Sequence, residues 1–146
     1  MTGINHGLVG GLIARLLPLP IALPMALASH FVLDTLPHYG IDQKQRDRSK
    51  FWKLFFIIDA FATLGLAIYA IQQKHYAMFL GGLIATAPDY FWVIIIIKKR
   101  SFNLSSQTNW FTKWHAGIQK LERPWGLWIE LPLTAVLFYI VIIRLW

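Results

Sequence analysis

His30, Asp34 and His38 recur at four-residue steps in the stretch SHFVLDTLPH (29–38), at the end of a run that is otherwise almost wholly apolar. Imidazoles and a carboxylate one helical turn apart make a workable ligand set for a divalent cation. His6, Asp59, Asp89 and Glu130 also interrupt long apolar stretches, and His115 stands in a polar segment between two of them. An ionisable group near a bilayer centre costs at least ~2.5–3.5 kcal/mol, so it faces a bundle interior and a partner. Carboxylates packed together as anions repel one another. No Lys or Arg falls at matching depth in the segments carrying Asp34, Asp59 and Asp89. A bound cation resolves the conflict, and mixed imidazole and carboxylate donors suit Zn²⁺, Mn²⁺ or Fe²⁺ better than Ca²⁺ or Mg²⁺. Zinc is the first expectation.

Composition sets the medium. The chain has 146 residues, 56% of them hydrophobic, 15% aromatic and only 14% charged. An average soluble domain is about 25% charged. The expected class is an all-α integral membrane protein, with residues 1–146 forming a single transmembrane domain. The formal charge of +7 does not imply a nucleic-acid partner, because that requires a basic face on a soluble fold. The absence of cysteine excludes disulfides and thiolate ligands. Ala26-Leu27-Ala28 resembles a signal cleavage site, but no basic region precedes it.

The elements follow from punctuation and periodicity. Pro18-Leu19-Pro20 splits the first apolar run. Two short helices are expected there, about 4–17 and 20–36, paired as a hairpin. Each is below the ~20 residues that span a bilayer. Further helices are expected at about 49–72, 76–97 and 124–146, giving five in all. Pro88 should bend the fourth by freeing the carbonyl of Ile84. Residues 108–124 read as a short interfacial helix with Trp110, Phe111 and Trp114 at headgroup level. Lys and Arg gather in 40–53 and 98–123. The positive-inside rule places both segments, and the N-terminus, in the cytoplasm of a bacterial or archaeal plasma membrane, with the C-terminus outside.

Counting along the helices brings the polar residues together. His6 lies thirteen residues before Leu19 and His30 eleven after it. Asp59 and Asp89 each lie fifteen residues from Lys74. At 1.5 Å per residue each pair is level, and most of these groups fall roughly 3–12 Å below the cytoplasmic surface. His38, beyond Pro37, reaches the site only from a loop. Glu122 reads more readily as a surface ion-pair partner than as a ligand.

TGINHGLVGGLIA (2–14) and ALASHFVLDTLPHYG (26–40) resemble the small membrane-bound metal-dependent hydrolases of the YdjM-like family, mainly over residues 1–40. The later WHAGIQKLERPWGLWIE (114–130) is loosely similar to that family's downstream His element. The family's His-Arg-Gly-x-Thr-His segment has no counterpart, and His115 stands there alone. The resemblance implies hydrolysis.

The leading expectation is therefore a metal-dependent hydrolase at the cytoplasmic membrane face. Its substrate would be lipid-like or lipid-linked, such as a phosphoester, attracted by the surrounding Lys and Arg. His30, Asp34, Asp89 and His115 are the expected ligands. His6 and His38 are further candidate ligands, and Asp59 and Glu130 are the candidate catalytic carboxylates, one of them as general base. The alternatives are a non-catalytic membrane protein with a structural metal or buried polar network, and an ion or proton pathway. An open coordination position separates a catalytic metal site from a structural one.

Overall fold

The structure is a computed structural model and describes residues 1–102 and 109–144. Among these residues the chain forms α1 (Gly3–Leu16), α2 (Leu19–Asp34), α3 (Gln43–Arg46), α4 (Lys50–Gln72), α5 (Tyr76–Lys99), α6 (Trp110–Ile118) and α7 (Leu127–Phe138). A 3₁₀ turn at Pro124–Gly126 leads into α7, which continues as a π-helical segment, Tyr139–Arg144. Two-residue strands β1 (His38–Tyr39) and β2 (Glu122–Arg123) pair in parallel, an element the sequence did not suggest. Positions 103–108 of the polar segment, and 145–146 of the last expected helix, lie outside the described residues.

The all-α class holds, and the helices suit a membrane. Three are long and apolar enough to cross one: Lys50–Gln72, Tyr76–Lys99 and Pro124–Ile143. The other two expected crossings, α1 and α2, have 14 and 16 residues. At 1.5 Å per residue they reach about 21 and 24 Å, short of a ~30 Å hydrocarbon core.

Each boundary has a local cause. Pro18 and Pro20 fall at the start of α2, where the missing N–H groups are not needed. Pro24 and Pro88 lie inside α2 and α5 without ending them. Ser49 caps α4 by accepting from Trp52 N. The turn between α4 and α5 places Lys74 in the left-handed region, at φ 61°.

Short α1 is the hub, touching α2, α4, α5 and α7. Without a water-driven force between helices in lipid, close backbone packing must hold such a bundle, and small residues permit it. Gly10 of α1 and Gly81 of α5 meet backbone to backbone; a Cβ on either would run into the other's carbonyl oxygen. Leu8 of α1 packs with Met78, Leu137 and Val141 in the buried apolar cluster. In contrast, only 6% of the α4 span is buried, so most of that helix lies at the surface of the bundle.

Candidate metal centre

The acids foreseen at one depth divide into two sets. The first surrounds the start of α1. Its N-cap residue, Thr2, makes no side-chain cap bond. The orphan N–H groups find carboxylates on other helices. Asp59 of α4 accepts from Gly3 N at 2.8 Å and Ile4 N at 3.0 Å. Glu130 of α7 accepts from Thr2 N at 2.6 Å and, through its other oxygen, from Tyr39 N at 2.8 Å. The positive end of a helix stabilises anions placed there. Thus both candidate catalytic carboxylates have their oxygens engaged by backbone donors, and a cation is not needed to explain either. Asp59→Ala is expected to lower stability by ~1–2 kcal/mol, as for loss of a helix cap, in chemical denaturation in detergent, and to leave metal retention intact.

The second set lies beside it. His30 and Asp34 of α2, Asp89 of α5 and His115 of α6 each offer one ligand atom, all within 4.8 Å of one another. His30, Asp34 and His115 are fully buried; Asp89 is 27% exposed. His115 Nε2 lies 2.7 Å from Asp34 Oδ2 and 3.0 Å from His30 Nε2. His30 Nε2 lies 3.2 Å from Asp34 Oδ2 and 3.8 Å from Asp89 Oδ1. The four residues expected as ligands are the four brought together.

His6 joins the margin of this group. Its ring stacks on His30 with centroids 4.0 Å apart, as their equal depth required. Its Nε2 stands 3.2 Å from Asp34 Oδ1 and 3.8 Å from Asp89 Oδ2. Yet both His6 nitrogens are buried without a hydrogen bond, a cost of about 1–3 kcal/mol for an unmet polar group. His38 is placed differently, in β1, where its Nδ1–H donates to Leu36 O at 2.8 Å. Burial, followed by the nearby α-ammonium of Met1, holds its pKa below the usual range, so it is neutral at pH 7.

Sequence reasoning missed the partners around Asp34. The Met1 α-ammonium donates to Oδ1 at 2.5 Å, and Gln119 Nε2 donates to Oδ2 at 3.0 Å. Trp92 Nε1–H donates to His115 Nδ1 at 3.1 Å. Helical spacing held a signal for two of these: Trp92 is three residues after Asp89, and Gln119 four after His115. Glu122 pairs with Arg46, the ion pair expected for it, and the pair is largely buried, with side chains 20% and 8% exposed. Burial pushes the Glu122 carboxyl up in pKa, and Arg46 opposes the shift.

The donor set fits a transition-metal ion, with one internal conflict. His30 Nδ1–H donates to Ala85 O at 2.8 Å, so its Nε2 lone pair faces Asp34. Such a carbonyl partner is the usual means of fixing a ligating imidazole. His115 has the opposite arrangement. A tryptophan N–H can only donate, so Trp92 keeps the proton of His115 on Nε2, the atom facing Asp34. A metal ion at Nε2 would require that proton to move to Nδ1, where it opposes the Trp92 N–H. Trp92→Phe keeps a ring against His115 and removes the opposing donor. It is expected to tighten zinc binding roughly five-fold, the equivalent of about 1 kcal/mol for one hydrogen bond, measured by competition with a chromophoric chelator.

No protein-family model matches the chain, and comparisons with curated proteins and with solved structures likewise give no match. The geometry therefore carries the functional argument.

Proposed function

We propose that the protein is a membrane-embedded, metal-dependent hydrolase acting on a lipid-linked phosphoester at the cytoplasmic face. The observation that supports this best is the convergence of His30, Asp34, Asp89 and His115, of which Asp89 also lines a cavity of about 550 Å³. That cavity is lined by Asp89, Trp92, Gln119 and Arg46, and beyond them by apolar residues of α4 and α5. A volume of this size is typical of a small-molecule site.

A divalent ion held by these four residues would polarise a phosphoryl oxygen and activate water. The chain supplies the rest. Ala85 O sets the tautomer of His30. Asp34 anchors the buried imidazoles. Asp89, less buried and on the cavity wall, is the carboxylate best placed to take a proton from water entering from the cavity. That role moves to Asp89 because Asp59 and Glu130 are engaged at the start of α1. The resemblance of residues 1–40 to the YdjM-like hydrolases points the same way.

The second reading is a closed hydrogen-bond network without metal, favoured by the Trp92 to His115 bond. Zinc-dependent release of phosphate or alcohol from phosphatidic acid or a related lipid phosphoester, abolished by chelator and restored by added zinc, supports the hydrolase. Protein that purifies without metal, and whose melting temperature is unmoved by chelator, supports the network.

A further inference from the structure

Asp34 and Asp89 have a second face, and His6 stands on it. His6 and His30 are related to the two acids almost as mirror images. His30 Nε2 lies 3.2 Å from Asp34 Oδ2 and 3.8 Å from Asp89 Oδ1. His6 Nε2 lies 3.2 Å from Asp34 Oδ1 and 3.8 Å from Asp89 Oδ2. Each carboxylate thus presents one oxygen to each imidazole. The two rings stack with centroids 4.0 Å apart and planes 25° from parallel, and both Nε2 atoms approach the same pair of acids.

These separations suit ligand edges. Tetrahedral bonds of about 2.0–2.2 Å put neighbouring donor atoms about 3.3–3.6 Å apart. Ions at the tips of two rings stacked at 4.0 Å would stand close to the ~3.5–4 Å spacing of two-metal sites. The state of His6 points the same way. It is fully buried, and neither ring nitrogen has a hydrogen bond although two carboxylates lie near Nε2. His30 and His115, by contrast, use both of their nitrogens. Asp34 Oδ1 already attracts a cation, the Met1 α-ammonium at 2.5 Å. A metal ion there takes the place of the ammonium. Only Met1 has to move, because Thr2 N is held by Glu130 and Gly3 N and Ile4 N by Asp59. Met1 and Asp89 line the large cavity, whereas His30, Asp34 and His115 do not, so the His6 face is the one nearer to an entering substrate.

We propose that His6 Nε2, Asp34 Oδ1 and Asp89 Oδ2 form a second divalent-cation site, so that the loaded centre is dinuclear and Asp34 and Asp89 bridge its two ions. This rests on the reading of a metal-dependent hydrolase and deepens it. With three protein donors and an ammonium to displace, the second site fills after the first and more weakly. Its fourth position stays open, as in a catalytic site. Two ions suit a phosphoester, because together they hold the attacking and leaving oxygens of an in-line displacement.

The test uses the full chain in detergent, without a histidine tag, dialysed against increasing zinc and analysed for bound metal. The protein is expected to hold one zinc per chain as purified and to saturate at two. At saturation, X-ray absorption should gain zinc–zinc scattering at about 3.5–4 Å. Manganese-loaded protein should give the electron paramagnetic resonance signal of an exchange-coupled pair. His6→Phe keeps a ring stacked on His30 and removes both nitrogens. It should saturate at one zinc and lose the metal–metal scattering, while the remaining zinc keeps its scattering from two imidazoles. Wild type that saturates at one zinc with two-imidazole scattering intact would overturn the second site and leave the single-ion centre standing. A second zinc that persists in His6→Phe, or that brings no metal–metal scattering, would also overturn it, because that ion lies elsewhere. Protein that takes up no metal would overturn the hydrolase reading and this inference together. Should His6→Phe fail to fold, metal–metal scattering in wild type decides alone.

Discussion

Replacing Asp34 by alanine is expected to abolish metal retention and to destabilise the fold by ~3–5 kcal/mol, the cost of breaking a buried ion pair from one side. Asp34 is the point on which the centre converges. It accepts from the Met1 ammonium, Gln119 and His115, and His6 and His30 stand 3.2 Å away. Removing the carboxylate takes away the anion nearest to a buried ammonium and three imidazoles and leaves Asp89, 3.8 Å from His6 and His30, as the remaining carboxylate of the group. Asp34→Asn preserves shape and some hydrogen bonds, so its stability loss should be smaller, while metal retention is still lost. Denaturation in detergent with parallel elemental analysis reads both effects. An alanine variant with wild-type stability and metal content would show that Asp34 anchors nothing.

Gly81→Val should separate α1 from α5. A Cβ at Gly81 meets the Gly10 carbonyl and the Ala14 side chain, and most of that obstacle is backbone that cannot rotate away. The expected loss is at the top of the ~1–3 kcal/mol range for an overpacked core, or beyond it. It should also reach the metal centre. Ala85, one turn along α5, supplies the carbonyl that orients His30, so a displaced α5 misaligns that imidazole. Gly65 gives the contrast. It lies inside α4 with nothing near a built Cβ, so Gly65→Ala should be neutral or raise stability by up to ~1 kcal/mol. Thermal melts of the two variants measured side by side test this. Equal behaviour would mean that the α1–α5 contact is not the seam holding the bundle.

Much of this arrangement was legible in the sequence because helix geometry is regular. Pro18, Ser49 and Lys74 mark boundaries within a residue or two of those observed. Rise per residue was enough to put His30, Asp34 and Asp89 together, and to level His6 with His30. What depth alone does not give is the partner at that depth. Asp59 and Glu130 reach the same layer but meet the N–H groups of α1, and the charge conflict that seemed to demand a cation is partly answered by a helix end. The pairing of His38–Tyr39 with Glu122–Arg123 was hidden for another reason. Two-residue strands carry no periodicity, and their contact is set by how the chain returns between α6 and α7. The Arg46–Glu122 pair spans 76 residues, and no local pattern announces such a contact.

Two imidazoles and two carboxylates from α2, α5 and α6 converge as a donor set for one transition-metal ion. X-ray absorption at the zinc edge, on full-length protein purified in detergent without chelator, tests it most directly. The expected result is near-stoichiometric zinc with nitrogen and oxygen donors at about 2.0–2.2 Å and outer scattering from two imidazoles, falling to one in His115→Ala. Protein without bound metal after supplementation with zinc, manganese and iron, or a zinc spectrum lacking imidazole scattering, would contradict it.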